Sequence, residues 1–237
     1  MSDDQQVAVF LQERQPALLQ FARELVSLPS PTPPGDERAV AARIQQELRS
    51  LQLGQAEVLS AKPERPNLLL RLKGSVPGPT LIFNAHTDTK PAGDRHAWKT
   101  DPFDPVIRDG TLYGLGSTDM KGAVAAMVYA AAAVAECRGS RSGELQLLLS
   151  ADEEGGSAFG AKFLAANGSV RGDVALIGEP SGLRRELEFI DLDSRGICCF
   201  RIRVRGDQMH SSLSDEFRAV NASVKVAELV TGRRYGG

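Results

Sequence analysis

Cysteine is scarce in this chain: three in 237 residues (Cys137, Cys198 and Cys199), with no CxxC spacing and no even set to pair. That excludes a disulfide framework and favours a reducing compartment. Charge of one sign is not in excess either. The 28 basic and 30 acidic residues leave a net charge of −2, too little to hold nucleic acid or anionic lipid non-specifically. Long hydrophobic runs are missing as well. The longest, Ala123 to Ala135, has 13 residues and is too short to cross a bilayer. The opening MSDDQQVAVF is polar and acidic where a signal peptide is basic and then apolar, which predicts no secretory leader. There is no internal repeat and no low-complexity tract. What remains is ordinary globular composition, 42% hydrophobic and 24% charged. The length suits between one and two domains at about 150 residues each. The expectation is a soluble cytoplasmic protein.

Apolar spacing organises the chain. Val7, Phe10, Leu11, Leu18, Phe21, Ala22 and Leu25 form one helical stripe, interrupted by Pro16, which either kinks one helix or opens a second. The segment SLPSPTPPGDE (Ser27 to Glu37) is a breaker-rich loop. Val40, Ile44, Leu48 and Leu51 mark the next helix. Strands are expected at Glu57–Leu59, Asn67–Leu72, Thr80–Phe83, Glu144–Ser150 and Asp173–Ile177, and a two-residue hairpin at Asp109-Gly110. Helices are expected at Met120–Ala135 and Ser157–Ala166. Strands that alternate with helices and read as near-continuous apolar runs predict an α/β domain, its sheet covered on both faces. After Ser181 the texture changes. Leu187–Leu192 and Ile197–Val204 read as strands, the second with alternating arginines, and Phe217–Val230 as a helix. This β-β-α piece predicts the start of a second, antiparallel-type domain.

Three apolar strands run directly into metal-type ligands: LIFNAHTD, LQLLLSADEE and VALIGEP. In open α/β sheets, ligands bind beyond the carboxyl ends of the strands. Asp119, in GLGSTDMKG, sits where the alanine-rich helix begins. His86, Asp88, Asp119, Glu153, Glu154 and Glu179 are therefore expected along one edge. Each has a plain alternative: a hydrogen-bonded His-x-Asp pair, a solvated Glu-Glu loop, a helix cap, a turn before proline. Their coincidence at strand ends is harder to explain that way, because clustered like charges repel and a divalent ion offsets them. One imidazole among carboxylates suits Zn²⁺, Mn²⁺ or Co²⁺. GLGSTD is not a dinucleotide fingerprint: the third glycine is absent and Asp119 would repel a pyrophosphate. No GxSxG supports a serine hydrolase. Cys198-Cys199 reads as buried and inert, and His96 as a surface residue.

The segments AHTD, WKTDPFDPVIRDGTLYGLGSTDMKG, SADEEGGSAFGAK, IGEPS and GDQMHSS…NA, in this order and spacing, resemble the two-metal amidohydrolase and exopeptidase family. That family includes acetylornithine deacetylase, succinyl-diaminopimelate desuccinylase, aminoacylase and glutamate carboxypeptidase. The resemblance extends from LVSLPSPTPPGDE to the helix after His210. It implies a zinc exopeptidase-like α/β fold with a mixed, mainly parallel sheet, a catalytic domain over residues 1–195 and the start of an α+β lid or dimerisation domain over 196–237. It implies two divalent ions, zinc foremost with cobalt or manganese as alternatives. His86 and Glu179 would hold one, Glu154 the other, and Asp119 would bridge them. Asp88 would orient His86, and Glu153 would be the general base toward the attacking water. His210 would reach a partner subunit's site and stabilise the oxyanion. A cis peptide at Asp119–Met120 is also implied.

The implied activity is hydrolysis of an amide bond in an N-acyl amino acid or small peptide, most like the deacetylase and desuccinylase branch, with a dipeptidase or carboxypeptidase as the alternative within the family. A homodimer is the implied state of a complete chain, with no nucleic-acid or membrane partner. The departure from the family lies at the carboxyl end. Members continue past this point and supply a last histidine to the second metal, whereas this chain stops at GRRYGG and its remaining histidine, His96, does not match. The expectation is an N-terminal fragment with an incomplete second site, or else a non-catalytic remnant of the same fold.

Overall fold

A computed structural model describes residues 2–136, 141–182, 188, 190–192, 201–207 and 220–232. The chain divides into two compact units, Met1–Phe189 and Ile190–Gly237. In the first unit the elements run α1 (Asp3–Ser27), α2 (Arg38–Ser50), β1 (Glu57–Leu59), β2 (Asn67–Lys73), β3 (Val76–His86), β4 (Val106–Arg108), β5 (Thr111–Tyr113), α3 (Gly122–Glu136), β6 (Ser142–Ser150), α4 (Ala161–Ala166) and β7 (Val174–Ile177).

Five strands form one mixed sheet in the order β1-β2-β6-β3-β7. β1–β2 and β2–β6 pair antiparallel, while β6–β3 and β3–β7 pair parallel. Side-chain alternation divides its apolar residues between two layers. Leu68, Leu70, Leu145, Leu147 and Leu149 pack with Phe21, Leu25, Ile44, Leu48, Val124 and Val128 from α1, α2 and α3. On the opposite face Leu69 and Leu148 pack with Leu164 of α4. Burying each such side chain contributes roughly 1.5–3 kcal/mol, so the helices that cover the sheet also hold its strand ends in place. β7 differs: Val174, Leu176 and Ile177 are each more than half exposed.

Several local readings sharpen. α1 continues through Pro16 as one helix, closed at its start by a Ser2–Gln5 capping box. The Asp109-Gly110 hairpin joins β4 to β5 with both residues at positive φ, 50° and 75°, as a primed two-residue turn requires. β3 extends beyond Thr80–Phe83 at both ends, because a bulge between Val76 and Thr80 absorbs Pro77-Gly78-Pro79 while pairing with β6 continues. α4 starts four residues later than expected: Ser157 has φ 62°, so a turn through Gly160 precedes the helix.

In the second unit, α5 (Ala222–Thr231) is capped by Asn221, which accepts from the amides of Ser223 and Val224. Residues 201–207 form no strand pairing among the described residues, and Cys137, Cys198, Cys199 and His210 lie outside them. Among the described residues, no helix is long and apolar enough to cross a membrane.

Candidate metal centre

The parallel trio β6, β3 and β7 brings three carboxyl ends to one edge, and register then fixes what meets there. Asn84 pairs with Ile177, so two residues further on His86 comes level with Glu179. His86 also pairs with Ser150, and the same step brings Asp88 level with Asp152. The Ser117–Lys121 turn ahead of α3 supplies Asp119 from a fourth element. The Asp119–Met120 peptide is cis.

His86 is 2% exposed. Its Nδ1 lies 2.9 Å from the Asp88 carbonyl; donating there leaves the Nε2 lone pair free to face outward. Nε2 faces acids: Asp119 Oδ1 at 2.8 Å and Glu179 Oε1 at 3.6 Å. One donor atom from each of these three residues lies within 4.8 Å of the others. Two ligands of one zinc, each at about 2.0–2.2 Å, stand about 3.4 Å apart in tetrahedral geometry, so the trio has the span and chemistry to hold a divalent cation.

Electrostatics agree with that reading. Burial alone would lower the His86 pKa, but Asp88, Asp119 and Glu179 overturn it and raise it to about 9. Burial and neighbouring acids also raise Glu179 and Glu153, against the favourable charge of His86. The edge therefore demands positive charge, from a proton on the imidazole or from a cation in its place.

Asp88 does more than face the imidazole. It is fully buried, its Oδ1 stands 3.5 Å from His86 Nδ1, and its two oxygens accept the backbone amides of Glu153 (3.0 Å) and Glu154 (3.1 Å). Its carboxylate pKa is lowered: burial opposes ionisation, but His86, Thr32 and the Glu153 amide outweigh it. One side chain thus ties the imidazole strand to the Glu-Glu turn.

Of the six acid and imidazole residues expected at this edge, His86, Asp119 and Glu179 converge, while Asp88 joins them to the turn that carries Glu153. Glu154 is directed elsewhere. Its Oε2 pairs with Lys90 Nζ at 2.7 Å, and the same ammonium donates to the Glu154 carbonyl at 2.9 Å. The sequence reading did not single out Lys90, and it missed Arg65, Glu37 and Asp152, buried and linked to one another beside the Glu-Glu turn, and Lys121, buried just ahead of α3 with its ammonium donating to the Leu28 carbonyl. Their signal was confined to charged residues flanking the breaker-rich loop and the ligand motifs. His96 is exposed, as expected.

An α/β sheet whose parallel strand ends gather a buried imidazole and several carboxylates defines a class of α/β protein with a candidate metal centre at its sheet edge. The sequence profile of peptidase family M20/M25/M40 matches residues 82–232, and the chain belongs to that family. Curated relatives include succinyl-diaminopimelate desuccinylases from Stenotrophomonas maltophilia strain R551-3 (35% identical over 229 residues, 92% of this chain and 58% of the relative) and Gluconacetobacter diazotrophicus (38% over 198 residues, 81% and 50%). The chain thus spans 50–58% of the length of these two relatives. Among solved structures, the M20 family metallo-carboxypeptidase Sso-CP2 from Sulfolobus solfataricus aligns at TM-score 0.60 with 22% identity, over 72% of this chain and 38% of its own. Human carnosine dipeptidase 1 aligns at 0.59 with 25% identity, over 74% and 40%.

Proposed function

We propose that this chain is the metal-binding catalytic part of an amidohydrolase that cleaves N-acyl amino acids, with desuccinylase or deacetylase chemistry favoured over dipeptidase chemistry. The observation that carries the proposal is the convergence of His86 Nε2, Asp119 and Glu179 beside a turn that presents Glu153. The desuccinylase relatives support the choice of substrate class.

A divalent cation held by His86, Asp119 and Glu179 would supply Lewis-acid polarisation of the scissile carbonyl and of the attacking water. The chain's own groups do the rest. Glu153 takes a proton from the attacking water as the C–O bond forms, and then delivers it to the nitrogen as the C–N bond breaks, so that a carboxylate and an amine leave. Its raised pKa makes it a better base than a solvated glutamate. Asp88 keeps that base in place through the Glu153 and Glu154 amides.

Glu154 joins the scheme as ligand to a second cation, in competition with Lys90. The second unit is read as the start of a lid or dimerisation domain, with His210 as its contribution to a partner's oxyanion site. Loaded with zinc or cobalt, the 237-residue chain should hydrolyse N-succinyl and N-acetyl amino acids. Glu153→Gln should lower turnover by about 10²–10⁴-fold while cation affinity stays within about threefold. No bound metal by elemental analysis, or equal turnover in the variant, would overturn this reading.

A second reading is an impaired fragment that keeps the fold and one cation site. It is favoured by the Lys90–Glu154 pair, because Asp119 and Glu154 alone offer a second ion two carboxylates and no imidazole. Zinc titration separates the two. One tight equivalent with turnover far below a full-length relative supports the fragment, and two tight equivalents oppose it.

A further inference from the structure

The breaker-rich loop between α1 and α2 has no role in the scheme above, and neither does Arg65, a buried cation with several partners. The two belong together. Arg65 lies just ahead of β2 with its side chain 5% exposed. Its Nη2 donates to Asp152 Oδ1 at 2.7 Å and to Thr32 Oγ1 at 3.1 Å, and Nη1 donates to the Pro34 carbonyl at 3.5 Å. Nε stands 3.2 Å from Glu37 Oε2, and Nη2 stands 4.0 Å from Asp88 Oδ2.

The loop is shaped to this guanidinium. A Cβ on Gly35, where φ is +82°, would fall 1.0 Å from Arg65 Nη1, so only glycine lets the backbone pass so close. The loop is itself stapled to the imidazole strand: the Thr32 amide donates to the Thr89 carbonyl, the Thr89 amide to the Ser30 carbonyl, and Ser30 Oγ to the Thr87 carbonyl.

Asp152 is what the guanidinium holds. It adopts φ 61° immediately before Glu153, a conformation a non-glycine residue keeps only when its surroundings enforce it. Its other oxygen accepts the Phe159 amide at 3.0 Å, and its carbonyl accepts the Ser157 amide at 2.6 Å. Two residues along from Arg65, Asn67 closes the neck of the same loop, accepting the Ala151 amide and donating to the Phe159 carbonyl. Asn67 fixes where the turn leaves the sheet; Arg65 fixes how the turn is folded where it meets the centre.

We propose that Arg65 is a positioning residue for this centre: cradled by the Ser30–Glu37 loop, its guanidinium holds Asp152 and thereby the turn that presents Glu153 and Glu154. The proposal deepens the hydrolase reading and rests on it for its catalytic consequence. A lysine would not serve, because one ammonium cannot span Asp152, Thr32 and the loop carbonyl as a planar fork does.

Hydrogen–deuterium exchange on the 237-residue chain tests the clamp without any turnover. Arg65→Met should raise exchange at least tenfold in peptides covering 152–159, with β6 and α3 within twofold of the parent. Unchanged exchange at 152–159 in a folded Arg65→Met chain overturns the proposal, and so does a rise spread evenly over the sheet. If Arg65→Met does not fold, Asp152→Asn must open the same residues, and failure to do so also overturns it. With zinc-loaded protein and N-acetyl-L-methionine or N-succinyl-L-lysine as substrate, Arg65→Lys should lower kcat at least thirtyfold with KM within threefold, a split that general loss of folded protein would not leave after correction for active concentration. A parent chain with no turnover refutes the hydrolase reading alone, because the exchange result still decides the clamp.

Discussion

The two sides of the centre are built on opposite plans. His86 and Asp88 are 2% and 0% exposed, locked between strands and surrounded by hydrogen bonds. Asp119 and Glu179, which face the same imidazole, have side chains 50% and 45% exposed and hang from a turn and from the carboxyl end of β7. The buried side is preorganised by folding and contributes to stability. The open side is a pair of like charges near one point, which gains a purpose when a cation arrives. Substitutions on the two sides should therefore act on different quantities.

The largest effect is expected at Asp88. Asp88→Ala leaves the amides of Glu153 and Glu154 without their acceptor and strips the counter-charge from a buried imidazole. Breaking a buried charged contact from one side costs about 3–5 kcal/mol. Urea unfolding should show a loss of that order, together with lost cation affinity. A loss below about 1 kcal/mol would erase the distinction between the two sides.

Next comes the buried acid behind Asp88. Glu37 is fully buried, and desolvation raises its pKa to about 7 despite Arg65. A carboxyl raised in the folded state holds its proton more tightly there than in the unfolded chain. Its stabilising contribution is complete below about pH 4.5 and is lost as pH rises to about 7. A shift of that size corresponds to up to about 3 kcal/mol. Urea melts at pH 5 and pH 7.5 should show the parent losing stability over this window relative to Glu37→Gln, and parallel curves would refute the assignment.

The open side should respond more in affinity than in folding. Asp119→Asn and Glu179→Gln each remove a half-exposed carboxylate facing the buried imidazole, so metal-free stability should fall by no more than about 1 kcal/mol, the range of ion pairs open to solvent. Zinc affinity should fall by about 100-fold or more, since even partners that only orient a ligand cost 10–100-fold. Calorimetric titration beside thermal melts reads both quantities. A variant that melts early but binds normally would place it on the buried side.

What the sequence could reveal follows the same division. His86, Asp119 and Glu179 were legible because each ends a local pattern, an apolar strand or the start of the alanine-rich helix, and strand ends in an open sheet share an edge. The two-layer packing was legible too, since Leu68-Leu69-Leu70 and Leu147-Leu148-Leu149 can be buried only between helices. Arg65, Asp152 and Glu37 were not. A buried ion pair between residues 87 apart has no periodicity, and its members read as surface charges until the fold brings them together. The late start of α4 was hidden for a similar reason: Ser157 takes a positive φ where its amide reaches back to Asp152, which local helix preference does not report.

Lys90 is the smallest test and the one that joins the two sides. Its side chain is 62% exposed, yet its ammonium reaches Glu154, whose side chain is 8% exposed, at 2.7 Å. The hydrogen bond that it donates to the Glu154 carboxylate raises the lysine pKa against a mild burial penalty, so the lysine remains charged through neutral pH. An ion pair with one end in solvent contributes little to folding, about 0.2–1 kcal/mol. Lys90→Ala should therefore lower stability by no more than about 1 kcal/mol. Its effect on cation binding should have the opposite sign, because it frees the Glu154 carboxylate and removes a positive charge from beside the centre. An attraction of about 1 kcal/mol corresponds to roughly fivefold in an equilibrium constant, so zinc affinity at Glu154 should rise by about that factor, less in high salt where the lysine is screened. If zinc instead binds more weakly to Lys90→Ala, the lysine is holding Glu154 in a useful position, and Glu154 belongs with the preorganised side.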